Sequence, residues 1–187
     1  MNARKGLSMN ARRFALLGAA AGALWFLAGC ATAPPPDLKA EAPYCHRNNK
    51  GRIQLCMKGN APSLERDADA KRFEPSPTLL TVYVVRQAWS ESGHALEVSL
   101  NGRHSFETLP ESMLRLRLPP GEHKLEFTHD GQTRATMVRG AAGQVVFAGV
   151  AGTDWTWGSS HGWSDEPAET LKRRALGTRL VGDFVGG

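Results

Sequence analysis

Features that would announce a metal centre, a membrane-spanning helix or a nucleic-acid binder are missing from this sequence. Cysteine occurs only at Cys30, Cys45 and Cys56; the last two with His46 offer no fourth ligand and no close paired spacing, which argues against structural zinc. No metal and no cofactor is expected. Apolar runs are scarce too. An uncharged run from Phe14 to Gly29 would make a helix of roughly 24 Å, short of the ~30 Å hydrocarbon core of a bilayer. Nothing after it resembles it, so a permanent transmembrane helix is disfavoured. The six histidines, His46, His94, His104, His123, His129 and His161, include no pair three or four residues apart and no His-x-Glu-x-x-His signature. They read as polar residues of loops and strand ends. A surplus of one charge is also lacking: four of the 23 cations precede Cys30, and residues 30–187 carry 19 Lys and Arg against 18 Asp and Glu. A net charge of about +1 removes the electrostatic case for nucleic acid.

What is present begins with a secretory signal. Arg4, Lys5, Arg12 and Arg13 precede the uncharged run, which closes on small residues. Met1-Asn2-Ala3-Arg4 recurs as Met9-Asn10-Ala11-Arg12, which leaves two candidate starts. The order Leu27-Ala28-Gly29-Cys30 resembles the lipobox of bacterial lipoproteins. That resemblance implies cleavage after Gly29, diacylglycerol on the Cys30 thiol, and a mature chain of 158 residues that begins at Cys30. Ala31 and Thr32 follow where an inner-membrane retention aspartate would stand, so the same resemblance implies the periplasmic face of the outer membrane. One acyl chain, at ~0.8 kcal/mol per buried methylene, anchors only marginally, whereas two or three hold firmly. The membrane is therefore the first expected partner.

Residues 30–43, with Pro34, Pro35, Pro36 and Pro43 and little to bury, read as an extended tether. In residues 44–78, a polar linker with room for a short helix, Cys45 and Cys56 are expected to form a disulfide. Closing so short a loop contributes on the order of 3 kcal/mol.

Residues 79–187 predict a small antiparallel β-sandwich of about 7–8 strands with a short C-terminal helix. Leu79 to Arg86 is a continuous β-branched and apolar run suited to a central strand covered on both faces. Leu96, Val98 and Leu100 alternate with polar residues and run into Asn101-Gly102, a strong hairpin signal, with the partner strand from Arg103 to about Leu109. Leu114, Leu116 and Leu118 share one face and Arg115 and Arg117 the other, before Pro119-Pro120-Gly121. Leu125 and Phe127 are to be buried, Asp130-Gly131 to turn the chain, and Ala135 and Met137 to share a face of the returning strand. Gln144 to Val150 is the next strand. Ser164-Asp165-Glu166-Pro167 reads as a side-chain-capped start of a helix over about 166–176, stopped by Gly177, with Leu180, Val181 and Phe184 in a last strand.

The order Val82-Tyr83-Val84-Val85-Arg86, Leu96 to Gly102, Leu118-Pro119-Pro120-Gly121-Glu122-His123 and Gly143 to Phe147 resembles a group of uncharacterised bacterial lipoproteins whose domain is similar to PEGA-type surface modules. The likeness covers about Leu79 to Val150. It implies a small sandwich and an envelope-associated, non-catalytic role, and it carries no catalytic residues.

The remaining candidates for function lie in residues 149–163, a stretch read as a glycine-rich loop carrying Trp155, Trp157 and Trp163. Such tryptophans either stack on a glycan or anchor a protein partner, or else cap the open end of the core. Their expected role in binding an envelope protein or glycan makes the chain a non-catalytic module. The alternative is an envelope hydrolase using Asp154, His161 and Asp165 as acid–base groups, beside Ser159 and Ser160. Glu107, Glu111 and Glu122 could pair as carboxylates for glycoside cleavage, or merely decorate strand ends.

Overall fold

The computed structural model describes residues 37–86, 93–155 and 158–186. The signal segment, Cys30 and the tether up to Pro36 lie outside the described residues. In chain order the elements are β1 (Cys45–Arg47), β2 (Ile53–Cys56), α1 (Leu64–Ala70), β3 (Leu80–Arg86), β4 (Leu96–Leu100), β5 (His104–Thr108) and β6 (Ser112–Leu118). They continue with β7 (Gly121–His129), β8 (Gln132–Gly140), β9 (Val145–Trp155), β10 (Gly158–Ser164), α2 (Ala168–Gly177) and β11 (Arg179–Val185).

Nine strands build the sandwich. One sheet has the order β10-β9-β3-β6-β11 and the other the order β5-β4-β7-β8. The alternation of side chains decides what each face meets. Leu80, Val82 and Val84 of β3 and Leu114, Leu116 and Leu118 of β6 point between the sheets, against Leu96, Val98, Leu100, Leu125, Phe127 and Val138. The other face of the five-stranded sheet presents Tyr83, Val85, Met113 and Leu180, and both helices cover it through Ala70 and Ala175. Phe73 joins this second layer edge-on to Tyr83 and Phe147, and the Tyr83 hydroxyl donates to the Ala70 carbonyl at 2.8 Å. As its sequence predicts, β3 is buried along its whole length.

The fold is mainly β with a short C-terminal helix, as the strand pattern predicts, and three details differ from the expectation. First, the five-stranded sheet is mixed: β3 pairs parallel with β9, and β11 pairs parallel with β6. The second pairing follows from α2, which turns the chain back so that β11 enters beside β6. Second, the described residues of 149–163 are strand where a loop is expected: they are the outer part of β9 and the strand β10, in register from Trp155–Gly158 to Gly149–Ser164. Gly, Ser and His have weak strand preference, but ladder hydrogen bonds come from the backbone and need no side chain. Third, α2 starts at Pro167 without a side-chain cap, and the helix runs through Gly177 to Thr178. Ala135 and Met137 do share a face, but it is the solvent face, with Met137 exposed and Val138 taking the core position.

The turns behave as their composition demands. Asn101 and Gly102 have φ of 52° and 66°, and Asp130 and Gly131 have 49° and 72°, the left-handed values of tight hairpin turns. Before the sandwich, β1 and β2 form a hairpin closed by the Cys45–Cys56 disulfide, with the two cysteines directly opposite in register. Tyr44 and Met57 pack against the inter-sheet core, so this strap belongs to the domain.

Candidate functional site

The polar side chains best placed to form a site gather where the β7–β8 turn meets the base of the β9–β10 hairpin. Arg86 ends β3 with 1% of its surface exposed. Its guanidinium donates to the Thr108 carbonyl at 2.8 Å and the His94 carbonyl at 2.7 Å, and its Nη2 lies 3.4 Å from His161 Nε2. A guanidinium only donates, so His161 Nε2 is the acceptor there. The rings of His94, His129 and His161 stand 4.2 to 6.1 Å apart, each edge-to-face with the others. Burial, then the neighbouring His161, push the His129 imidazole below its ordinary value; Asp130 opposes them, and His94 and Arg86 add to the lowering.

His129 Nε2 is 2.7 Å from Ser159 Oγ and 3.3 Å from Asp130 Oδ2. A serine, a histidine and an aspartate are thus adjacent, but they do not form a nucleophilic triad. In a triad the carboxylate holds one ring nitrogen and the serine faces the other. Here both meet Nε2. With a proton on Nε2 the histidine donates and cannot deprotonate Ser159; without one, its lone pair faces the Asp130 carboxylate. The segment Gly158-Ser159-Ser160-His161-Gly162 also spells the Gly-x-Ser-x-Gly of a nucleophile elbow. Its central Ser160 is exposed in mid-strand, 3.0 Å from Thr153 Oγ1, whereas an elbow places the serine at a sharp strand-to-helix turn.

The sequence-predicted residues are placed as follows. Cys30 and Trp157 lie outside the described residues. Cys45 and Cys56 are joined, so their sulfurs are not available to a metal with His46. Trp155 ends β9 opposite Gly158, and Asp154 stands opposite Ser159; only their backbone is described. Trp163 turns toward the domain, its ring 5.3 Å from Phe127 and its indole N–H donating to the Arg134 carbonyl at 3.1 Å. It closes the edge of the sandwich. His161 is 2% exposed, whereas Asp165 is exposed beyond the end of β10, so these two acid–base candidates do not share a pocket. Glu107 accepts the Lys58 amide at 2.9 Å, Glu111 lies 3.6 Å from His46 Nδ1, and Glu122 pairs with Arg139. Each carboxylate has its own partner, and the three do not pair with one another. Among the described residues no group of three or more His, Cys, Asp or Glu is arranged to hold a metal ion.

The convergence of His94, His129 and His161 was not legible in the sequence, because each is more than thirty residues from the next and the β7–β8 and β9–β10 turns bring them together. No protein-family model matches the chain, and no curated protein matches it.

The outer part of this hairpin lies beside the cluster, since Ser159, one pair from Trp155–Gly158, meets His129. Only Val145 to Val150 of β9 pair with β3, the last pair being Arg86–Val150. Ala151 to Trp155 pair only with β10 among the described residues. These five residues, at about 3.3 Å each, make a stretch of about 17 Å beyond the last described pairing with β3. Apart from His161, the arm is built of small residues from Ala151 to Thr153 and from Gly158 to Gly162, with Trp155 at its tip. Arg86 contacts His161 and His129 contacts Ser159, so the cluster ties this hairpin to β3 and to the β7–β8 turn.

Proposed function

We propose that this chain is a lipid-tethered module of the bacterial envelope, anchored through Cys30 to the periplasmic face of the outer membrane, that binds an envelope protein or glycan without turning anything over. The observation that carries the binding role is the β9–β10 arm, in which Ala151 to Trp155 pair only with β10 among the described residues and Trp155 ends β9. Apart from His161, the described arm residues between Val150 and Trp163 are absent from the inter-sheet core, and ordering them costs about 1–2 kcal/mol each, which favours contacts made elsewhere. Aromatic residues at such tips supply large contact area with few rotors to freeze, and they dominate many interfaces. The tether reading rests on Leu27-Ala28-Gly29-Cys30 and the proline-rich stretch behind it, and the PEGA-like layout of residues 79–150 agrees with a surface module.

Two experiments test the two halves separately. Cys30→Ser should leave an uncleaved precursor that incorporates no labelled fatty acid; labelling that survives removes the tether. Trp155→Ala should melt at the wild-type temperature yet lose both co-sedimentation with isolated peptidoglycan sacculi and crosslinking to envelope partners in intact cells. Capture unchanged by Trp155→Ala removes the arm as the binding element.

A further inference from the structure

At the opposite end of the sandwich from the histidine cluster lies a cleft of about 460 Å³, within the ~300–1,000 Å³ range of small-molecule sites. The Asn101-Gly102 turn, the Pro119-Pro120 turn and the end of β11 surround it. Its floor is apolar, made by Leu100, Leu118 and Phe184, and the His104 ring rests 4.6 Å from the Phe184 ring, tilted 44° to it, so that the two rings form an angled aromatic wall.

Most polar groups around this cleft are already engaged. His123 Nε2 lies 2.8 Å from the Pro119 carbonyl and so carries the proton, which makes Nδ1 the acceptor for the Asn101 amide at 3.1 Å. Asn101 Oδ1 accepts the Lys124 amide at 2.8 Å, and Glu122 is neutralised by Arg139. Two side chains are left: Arg103 and His104 enter no hydrogen bond or ion pair among the described residues. Both can donate, and one is a permanent cation whose planar fork suits a carboxylate.

We propose that this cleft binds a small carboxylate with a flat apolar body, the carboxylate on Arg103 and the body on Phe184 and His104. The inference uses neither the arm nor Trp155, so it stands or falls independently of the binding role proposed above.

Amide resonances of the full mature protein, followed at pH 7 during titration with phenylacetate, provide the test. Saturable shifts are expected at Asn101 to Ser105 and Phe184 to Gly186, with a Kd on the order of 1 mM, as befits so small a ligand. The neutral isostere phenylacetamide should bind about tenfold more weakly or worse, and Arg103→Gln, an exposed change that breaks no contact, should reduce phenylacetate binding by about the same factor. The peptide Gly-Gly-Phe with a free carboxylate, compared with its amidated form, separates a chain terminus from a free acid as the source. Absence of saturable shifts, equal binding of the amide, or indifference to Arg103→Gln would overturn the proposal.

Discussion

Asp183 shows what a single side chain contributes here. Its carboxylate has 2% of its surface exposed and takes both Nε and Nη2 of Arg115, at 3.0 and 2.8 Å, with Arg117 Nη2 at 3.0 Å and Arg66 at 3.9 Å. Asp69 adds a second contact to Arg115 at 2.6 Å, tying α1 to the sheet. Burial alone would raise the Asp183 carboxyl, but hydrogen bonds from Arg115 and the surrounding guanidinium charges win and hold it below the usual carboxylate range. Asp69 is likewise lowered, chiefly by its Arg115 hydrogen bond. Carboxylates with depressed native values stabilise the fold fully above their unfolded value of about 4 and lose that contribution as pH falls through the native one. Asp183→Ala leaves Arg115 with Asp69 as its one remaining carboxylate and should cost about 2–4 kcal/mol in urea denaturation at pH 7, below the full cost of an uncompensated buried charge. The deficit relative to wild type should shrink as both are titrated from pH 5 toward pH 2. The alternation of Leu114, Arg115, Leu116 and Arg117 made it legible that the arginines face away from the inter-sheet core; their partner, 68 residues after Arg115, was not legible.

Among the elements, those with strong local chemistry were readable and those held by neighbours were not. The β4–β5 and β7–β8 hairpins follow from Asn-Gly and Asp-Gly, and β3 and β6 from dense branched residues in period two. By contrast β10 has little propensity of its own; it is a strand because β9 beside it supplies a ladder and because Trp163 anchors it on Phe127. The parallel place of β11 depends on where α2 lies, and that in turn depends on Gly149. A Cβ at this position would stand 2.6 Å from Leu171 Cδ2 and 2.9 Å from Ser164 Cβ, so the missing side chain is what lets α2 lie close on β9. Gly149→Ala should push the helix outward and cost about 1–3 kcal/mol, seen as a lower thermal midpoint and faster amide exchange in residues 168–177. If the midpoint is unchanged, the close approach does not matter to α2.

Across the whole molecule, the chain's early and late segments are bound to each other. The Leu180 amide donates to Asp67 Oδ1 at 2.6 Å, Arg179 reaches both Asp67 at 3.2 Å and the Pro62 carbonyl, and the Arg179 amide donates to the Glu111 carbonyl at 2.9 Å. The β1–β2 hairpin continues that strap, and its disulfide closes a loop with a sequence separation of 11. Reducing it should lower stability by about 2–4 kcal/mol, measured as the shift in urea midpoint with and without a thiol reductant. A shift near zero would show that the strap is held by Tyr44 and Met57 alone. The place of β11 in the sheet also bears on the order of synthesis. Asp183 is the carboxylate that Arg115, Arg117 and Arg66 face, and the segment that carries it is made after every other element. A chain emerging from its amino end therefore has three arginines without their shared counter-ion until its final strand is complete. Among the described elements, β11 is the last to be made, so the β6 edge of the five-stranded sheet gains its neighbour and the arginines gain Asp183 together.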